Sequence, residues 1–296
     1  MKQLYHVFTS MRPHQWTKNL VVFAGLIFSQ NFRQQALLLR TVEAFVVFCV
    51  LSGVIYIIND IADVQKDRLH PTKRTRPLAS GALTIPVAVM AALVAGAAGL
   101  FLSWQLGSGF LTVAVIFCAL NLLYSFVLKR VVLLDVVSIS LSFVLRAIAG
   151  VEALRDVEPS IAISPWLLIC TLFLSLLLAF CKRRYELTSL ENAAGHRETL
   201  QEYSPILLDQ LVGITAGGSV IAYAIYTIWP ETVEKFGSTH LVYTVPLVLI
   251  GVMRYLYLVY NKQKGGSPSD LLLHEKFLLF DVLAWIVLVI AILGGI

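Results

Sequence analysis

Nine apolar runs, at roughly 16–32, 40–60, 84–103, 109–128, 132–151, 163–182, 206–228, 239–260 and 275–295, leave this chain little choice of architecture. Most approach the ~20 residues that an α-helix needs to cross a hydrocarbon core, and polar loops separate them. The first run is the weakest, because its purely apolar part covers only Leu20 to Phe28. With 58% apolar and 14% charged residues and a mean hydropathy of +0.79, a soluble fold is excluded. The expectation is an all-α, polytopic membrane helical bundle of about nine transmembrane helices, with residues 1–296 forming a single domain. The opening MKQLYHVFTSMRPHQW has no apolar core followed by a small-residue cleavage site, so no signal peptide is expected. Cys49, Cys118, Cys170 and Cys181 lie in or beside apolar runs without a CxxC pair, which suggests neither a zinc site nor a disulfide framework.

Charge sets the expected orientation. The N-terminus and the loops after spans two, four, six and eight hold 18 of the 23 lysines and arginines. The other side holds Arg33, Arg40, Arg155 and Lys235, and Arg146 lies inside a span. The positive-inside rule then puts the N-terminus, and the side on which the chemistry is expected, in the cytoplasm of a cell (plasma) membrane. The same asymmetry accounts for the net charge of +5, so no nucleic-acid partner is expected. Nothing in the sequence sets the oligomeric state.

The stretch with the most chemistry is NDIADVQKDRLHPTKRTRPLASG, residues 59–81, which directly follows the second apolar run. On a continuous helix turning about 100° per residue, Asn59, Asp60, Asp63 and Asp67 fall within roughly 100° of arc. One face would carry three carboxylates and an amide. Such a cluster stabilises itself around a cation, and oxygen-only ligands suit a hard ion. Mg²⁺ takes one or two carboxylates and completes its shell with water and substrate phosphate oxygens. Pro71 should end the helix at His70. Lys73, Arg74 and Arg76 follow, in position to meet the remaining phosphate charge.

Other polar residues join this list. Lys18, in RPHQWTKN at the entry to the first span, reads as a phosphate contact or as a topology anchor. In YSFVLKRVVLLDVVSISLSFVLRAIAG, Tyr124 precedes Lys129 and Arg130, Asp135 opens the fifth span, and Arg146 lies within it. An intramembrane arginine is expensive and is a functional candidate by default. At about 1.5 Å per residue it sits about 16 Å beyond Asp135, so the two do not touch. The sixth span ends in CKRRYEL, offering Lys182, Arg183 and Tyr185, with Tyr203 at the far side of the loop. His196 reads as a solvated histidine. Asp281 reads as a buried charge that would be paired with a Lys or Arg. The Gly-Gly-Ser-Pro turn at 265–268 could form a lid. Tyr223, Tyr226 and Trp229 read as span packing.

NDIADVQKDRLHPTKRTRPLASG resembles the first aspartate-rich motif of the UbiA superfamily of intramembrane prenyltransferases, and the nine-span layout extends that resemblance over nearly the whole chain. The resemblance implies a helical bundle that binds Mg²⁺–diphosphate, with Asn59, Asp60, Asp63 and Asp67 as metal residues. One feature departs from the pattern. The usual prenyl-transferring members carry a second DxxxD cluster after the sixth span, where this chain has the basic CKRRYEL. With RPHQWTKN, HPTKRTRPLASG and the 124–150 segment, that departure is similar to the decaprenyl-phosphate phosphoribosyltransferase branch. The branch implies transfer of 5-phosphoribose from phosphoribosyl pyrophosphate to a polyprenyl phosphate, with membrane lipids around the isoprenoid tail. On this expectation Asp60, Asp63, Asp67 and Arg146 are catalytic. Lys18, Asn59, Lys73, Arg74, Arg76, Tyr124, Lys129, Asp135, Lys182, Arg183, Tyr185 and Tyr203 bind substrate. The alternatives are a prenyltransferase using an allylic diphosphate, and a membrane transporter or scaffold without catalysis.

Overall fold

The computed structural model describes residues 2–29, 34–189, 198–268, 271 and 274–294. Among them the regular structure is helical, and eight helices are long and apolar enough to cross a membrane. The long helices are α3 (Gln35–Ala62), α5 (Ile85–Gln105), α6 (Ser108–Phe126), α7 (Leu134–Arg155), α8 (Pro165–Ser189), α9 (Pro205–Ile228), α11 (Val245–Lys262) and α12 (Lys276–Gly294). Shorter ones are α1 (Lys2–Ser10), α2 (Ala24–Phe28), α4 (Val64–Leu69) and α10 (Pro230–Phe236). A 3₁₀ turn, His240–Thr244, extends α11 to the length of a span.

The first apolar run is where structure and expectation differ. Pro13–Phe23 winds as a 3₁₀ helix and passes into the short α2. Its leading half carries Thr17, Lys18 and Asn19, so no α-helix of sufficient apolar length forms there. The tighter winding compensates in reach: eleven residues at about 2.0 Å each, then α2 at about 1.5 Å per residue, extend over about 30 Å, the thickness of a hydrocarbon core. Arg254, counted from the sequence with the loop after the eighth span, lies inside α11.

The chain divides into two compact units. Residues 1–128 and 142–163 form the first, and 129–141 and 164–296 the second; α7 contributes to the second up to Leu141 and to the first from Ser142. The first unit is built on α3, whose Phe48 packs against Phe110 and Phe117 of α6 with ring centroids 5.7 and 4.9 Å apart. Val22, Leu51, Ala149 and Ala153 belong to the same core. A second cluster, with Ile57, Val64, Leu78 and Leu83, seats the 59–83 stretch on α3 and α5. The second unit has its own core of Leu177, Phe180, Leu208, Val212, Leu258 and Leu278. Tyr223, Tyr226 and Trp229 pack as expected: Tyr223 receives a bond from Trp285 Nε1 at 2.9 Å, and Trp229 meets Trp166 with centroids 5.1 Å apart.

Small residues let backbones approach in the first unit. A Cβ on Gly150 would collide with the carbonyl oxygen of Val22, and one on Gly25 would stand 2.9 Å from Val151 Cγ2. The 3₁₀ segment and α2 are thereby pressed onto α7. Gly150→Ala should destabilise the protein by about 1–3 kcal/mol, the usual cost of overpacking. Gly213→Ala in α9 meets nothing within 4 Å and should be neutral or stabilising by up to about 1 kcal/mol. Thermal unfolding of the two variants in one detergent separates these outcomes, and equal midpoints would contradict the packing.

Candidate functional site

Helix α3 does not run through the aspartates, as the sequence reading had it. It ends at Ala62, Asp63 leaves helical geometry (φ −99°, ψ 7°), and α4 resumes at Val64. Asp63 N–H still reaches Asn59 O at 2.9 Å and Asp67 N–H reaches Asp63 O at 2.8 Å, so the break is a kink. Asp is a poor interior helix residue because its side chain competes for backbone groups. The expected stop is present: His70, before Pro71, is extended (φ −84°, ψ 132°). Arg76, before Pro77, is extended for the same reason (φ −61°, ψ 146°), and this returns its side chain to the aspartates.

There it joins two of them. Arg76 Nη1 donates to Asp67 Oδ2 at 2.5 Å and to Asp60 Oδ1 at 3.2 Å. Both carboxylates are buried, Asp60 with 2% and Asp67 with 4% of its surface exposed. A second guanidinium, that of Arg12, bonds Asp60 Oδ1 and lies over the ring of Tyr56, 4.9 Å from its centroid. Arg12 has a left-handed backbone (φ 53°, ψ 65°), uncommon for a residue with a Cβ and more so before a proline. Such strain persists where the surroundings over-determine it, and it concentrates at functional sites. Arg12 was not among the residues singled out from the sequence. RPHQW contains it, but charge alone did not separate it from a topology signal.

Asn59, Asp63, Lys18 and Lys73 are half-buried, and Arg74 is exposed. Among the described residues, no three His, Cys, Asp or Glu side chains converge closely enough to hold a metal by themselves. Asp60 and Asp67, both in the four-residue set expected from the sequence, share one cationic atom, Arg76 Nη1. The donor set still fits a hard divalent ion that arrives with phosphate oxygens, since Mg²⁺ commonly takes two carboxylates and no more.

Deeper in the first unit, Arg146 is buried and bonds neutral partners. Its Nε donates to Asn19 Oδ1 at 2.7 Å, and its Nη1 to both the carbonyl and the hydroxyl of Ser142 at 2.8 Å. Ser52 and Cys49 complete the surroundings of Asn19, while Phe117 and Phe143 sandwich the guanidinium at 4.7 and 5.2 Å. Asn121 bonds Ser142, and Tyr124 lies half-buried one turn further along α6. A desolvated guanidinium held by amides and hydroxyls is a fixed positive charge.

In the second unit, three expected substrate-binding residues bind each other. Arg183 Nε donates to Asp135 Oδ2 at 2.7 Å, and Arg183 Nη1 to Glu186 Oε2 at 2.8 Å. The Tyr203 hydroxyl donates to Asp135 Oδ1 at 2.9 Å and accepts from Leu133 N–H at 2.8 Å. Leu133 is itself left-handed (φ 67°). Burial pushes the Tyr203 phenol well above its ordinary range, so it stays protonated and donating. Asp135 and Arg183 are 0% and 1% exposed, which makes this a sealed structural lock on the start of α7. Lys129 and Lys182 are half-buried, and Tyr185 lines an open cleft. Arg184 pairs with Asp209 at 2.5 Å and stacks on Tyr260 at 4.0 Å. Among the described residues Asp281 has no ion-pair partner, contrary to expectation; its carboxylate lies against Gly251. His196 and Arg33 lie outside the described residues.

Eight membrane-length helices, with the buried carboxylates of Asp60 and Asp67 held by Arg76 about the end of one of them, define an integral-membrane protein with a charged site. The chain belongs to the UbiA prenyltransferase family, whose signature matches residues 19–274. It is 32% identical over 285 residues to the decaprenyl-phosphate phosphoribosyltransferase of Mycobacterium tuberculosis, covering 95% of this chain and 91% of that protein. It is 33% identical to the protein of the same name from Corynebacterium glutamicum, over 94% of this chain and 83% of the relative. Among solved structures, a UbiA homolog from Archaeoglobus fulgidus bound to GPP and Mg²⁺ superimposes with a TM-score of 0.72 at 17% identity, over 98% of this chain and 99% of that one. A digeranylgeranylglyceryl phosphate synthase gives 0.70 at 20% identity over the full length of both. The chain is thus a membrane transferase, and the transporter or scaffold alternative falls away.

Proposed function

We propose that this transferase moves 5-phosphoribose from phosphoribosyl pyrophosphate to a polyprenyl phosphate of the decaprenyl type, acting as one domain at the cytoplasmic face of the membrane. The observation that carries the reading is the single guanidinium of Arg76 shared by the buried Asp60 and Asp67, with Arg12 on the same Asp60 Oδ1. Carboxylates suit the metal of a metal–diphosphate, and forked guanidiniums suit its phosphate oxygens. Relatives bearing the phosphoribosyltransferase name at about a third identity support the choice of donor.

Asp60 and Asp67, with Asn59 and Asp63 beside them, would hold Mg²⁺. When bound, the ion supplies charge neutralisation for the donor diphosphate. With a donor diphosphate in the site, Arg76 and Arg12 would exchange carboxylate for phosphate partners. They then stabilise the negative charge that builds on pyrophosphate as the ribose C1–O bond breaks. Lys73, Arg74 and Lys18 add charge around the ribose 5-phosphate. The new bond joins C1 to an oxygen of the lipid phosphate, which is already anionic at neutral pH. That anionic oxygen needs no general base to attack C1. The isoprenoid tail lies along the lipid-facing surface of the helices.

The test is release of pyrophosphate by purified protein, with Mg²⁺, given each donor in turn. Phosphoribosyl pyrophosphate with a polyprenyl phosphate acceptor should release it, and geranyl or longer prenyl diphosphates should not. Release from prenyl diphosphates alone would contradict the proposal and favour the allylic alternative.

A further inference from the structure

The charge of Arg146, which the steps above leave unused, is not balanced within the protein. The residue lies in the interior of α7, is 5% exposed, and has no carboxylate within 4 Å among the described residues. A guanidinium offers five N–H donors in a planar fork. Nε gives its one to Asn19 Oδ1 at 2.7 Å, and Nη1 gives both of its own to the carbonyl and the hydroxyl of Ser142 at 2.8 Å. Nη2 forms no hydrogen bond among the described residues, yet packing does not seal it off. Two donors on one buried cationic nitrogen are therefore open to a ligand. Burying an unpaired cation in a membrane-length helix is costly. The faces of Phe117 and Phe143, at 4.7 and 5.2 Å, offset part of that cost. An oxyanion on Nη2 would offset more, through charge-assisted bonds.

A polar side of α3 joins this nitrogen's surroundings to the cluster of Asp60, Asp67, Arg76 and Arg12. Cys49, Ser52, Tyr56 and Asp60 recur every three or four residues, so they share one face of the helix. Cys49 and Ser52 each bond Asn19 at 3.3 Å, and Asn19 bonds Arg146. Tyr56 carries Arg12 over its ring, and its hydroxyl makes no hydrogen bond among the described residues. Ser52 and Asp60 are two turns apart, a rise of about 12 Å. Arg146 is thus a second cationic station, deeper than the first and linked to it by neutral polar groups.

We infer that Arg146 Nη2 binds a phosphate monoester of the substrates, distinct from the diphosphate received at Asp60 and Asp67. The inference rests on the transfer proposed above, which brings two such groups: the 5-phosphate of the donor and the phosphate of the polyprenyl acceptor. The test separates these sources. An allylic diphosphate brings no monoester, and an apolar chain against Nη2 would leave the guanidinium unpaired, so the residue selects against that donor.

The experiment measures kcat and the KM of each substrate, phosphoribosyl pyrophosphate and a polyprenyl phosphate, for the full-length protein in detergent. Asn19→Asp puts a carboxylate where Nε already bonds, which neutralises the guanidinium without removing it. The KM of one substrate should rise about tenfold or more, the scale of a lost hydrogen bond to a charged group, and the other KM should hold. Arg146→Lys keeps a charge without the fork and should raise the same KM by a smaller factor, so either variant carries the test; thermal unfolding checks that both fold. A rise confined to phosphoribosyl pyrophosphate assigns the donor 5-phosphate, and one confined to the lipid assigns the acceptor phosphate. If the two KM values rise together or not at all, Arg146 is a structural residue and the inference is overturned. Wild-type protein that makes no phosphoribosyl lipid would overturn the proposed transfer and the inference with it, whereas active wild type with unchanged KM values in the variants overturns the inference alone.

Discussion

Asp67→Asn protein is expected to fold and to lose about a thousandfold of its turnover, the scale on which enzymes lose rate when one preorganised charge partner is removed. The side chain keeps its size, and Arg76 keeps Asp60, so the cluster stays assembled. What disappears is half of the carboxylate pair that a divalent ion would need. The loss should fall on kcat, with an additional demand for Mg²⁺. Arg76→Ala should be equally severe for a different reason: Asp60 retains Arg12, but the guanidinium that would pass to the diphosphate is gone. Steady-state kinetics across a Mg²⁺ series, with thermal unfolding as the folding control, checks both variants. Turnover within threefold of wild type in Asp67→Asn would contradict the role given to the pair.

The second large effect belongs to stability. Asp135→Leu takes from the buried Arg183 its carboxylate partner at 2.7 Å, and from Tyr203 its acceptor. Breaking a buried pair by removing one partner costs roughly 3–5 kcal/mol, because an uncompensated charge stays in a low-dielectric interior. Arg183→Leu should cost about as much, and the double variant should cost clearly less than the sum. At about 2 °C or more per kcal/mol for a chain of this size, each single variant should unfold at least about 6 °C below wild type. Additive losses in the double-mutant cycle would mean that the two side chains stabilise the fold independently, contrary to the lock described here.

The contrast between these two sites explains what the sequence could carry. Hydropathy made the long helices legible because each must satisfy its own backbone in lipid. The exception was the first run, where Asn19 is committed to Arg146, 127 residues away. The aspartate stretch was legible because its chemistry is local, yet the kink at Asp63 was not. A 100° wheel assumes continuous geometry, and the break lies in the backbone of Asp63, whose side chain competes for helical backbone groups. Arg12 was missed because its importance lies in a left-handed backbone and a contact 48 residues away, neither of which leaves a mark in composition. Asp135 and Arg183 were legible as charges but not as partners. Read singly, each looked available to substrate; only tertiary packing reveals that they neutralise each other.

The most direct test follows the transferred group itself. Purified protein would be incubated with Mg²⁺, polyprenyl phosphate and phosphoribosyl pyrophosphate labelled in the ribose, and the lipid fraction weighed by mass spectrometry. The account predicts a lipid heavier by one labelled phosphoribosyl unit, formed by wild type and absent with Asp67→Asn. An unlabelled lipid fraction, beside a prenylated acceptor formed from a prenyl diphosphate by the same preparation, would contradict it.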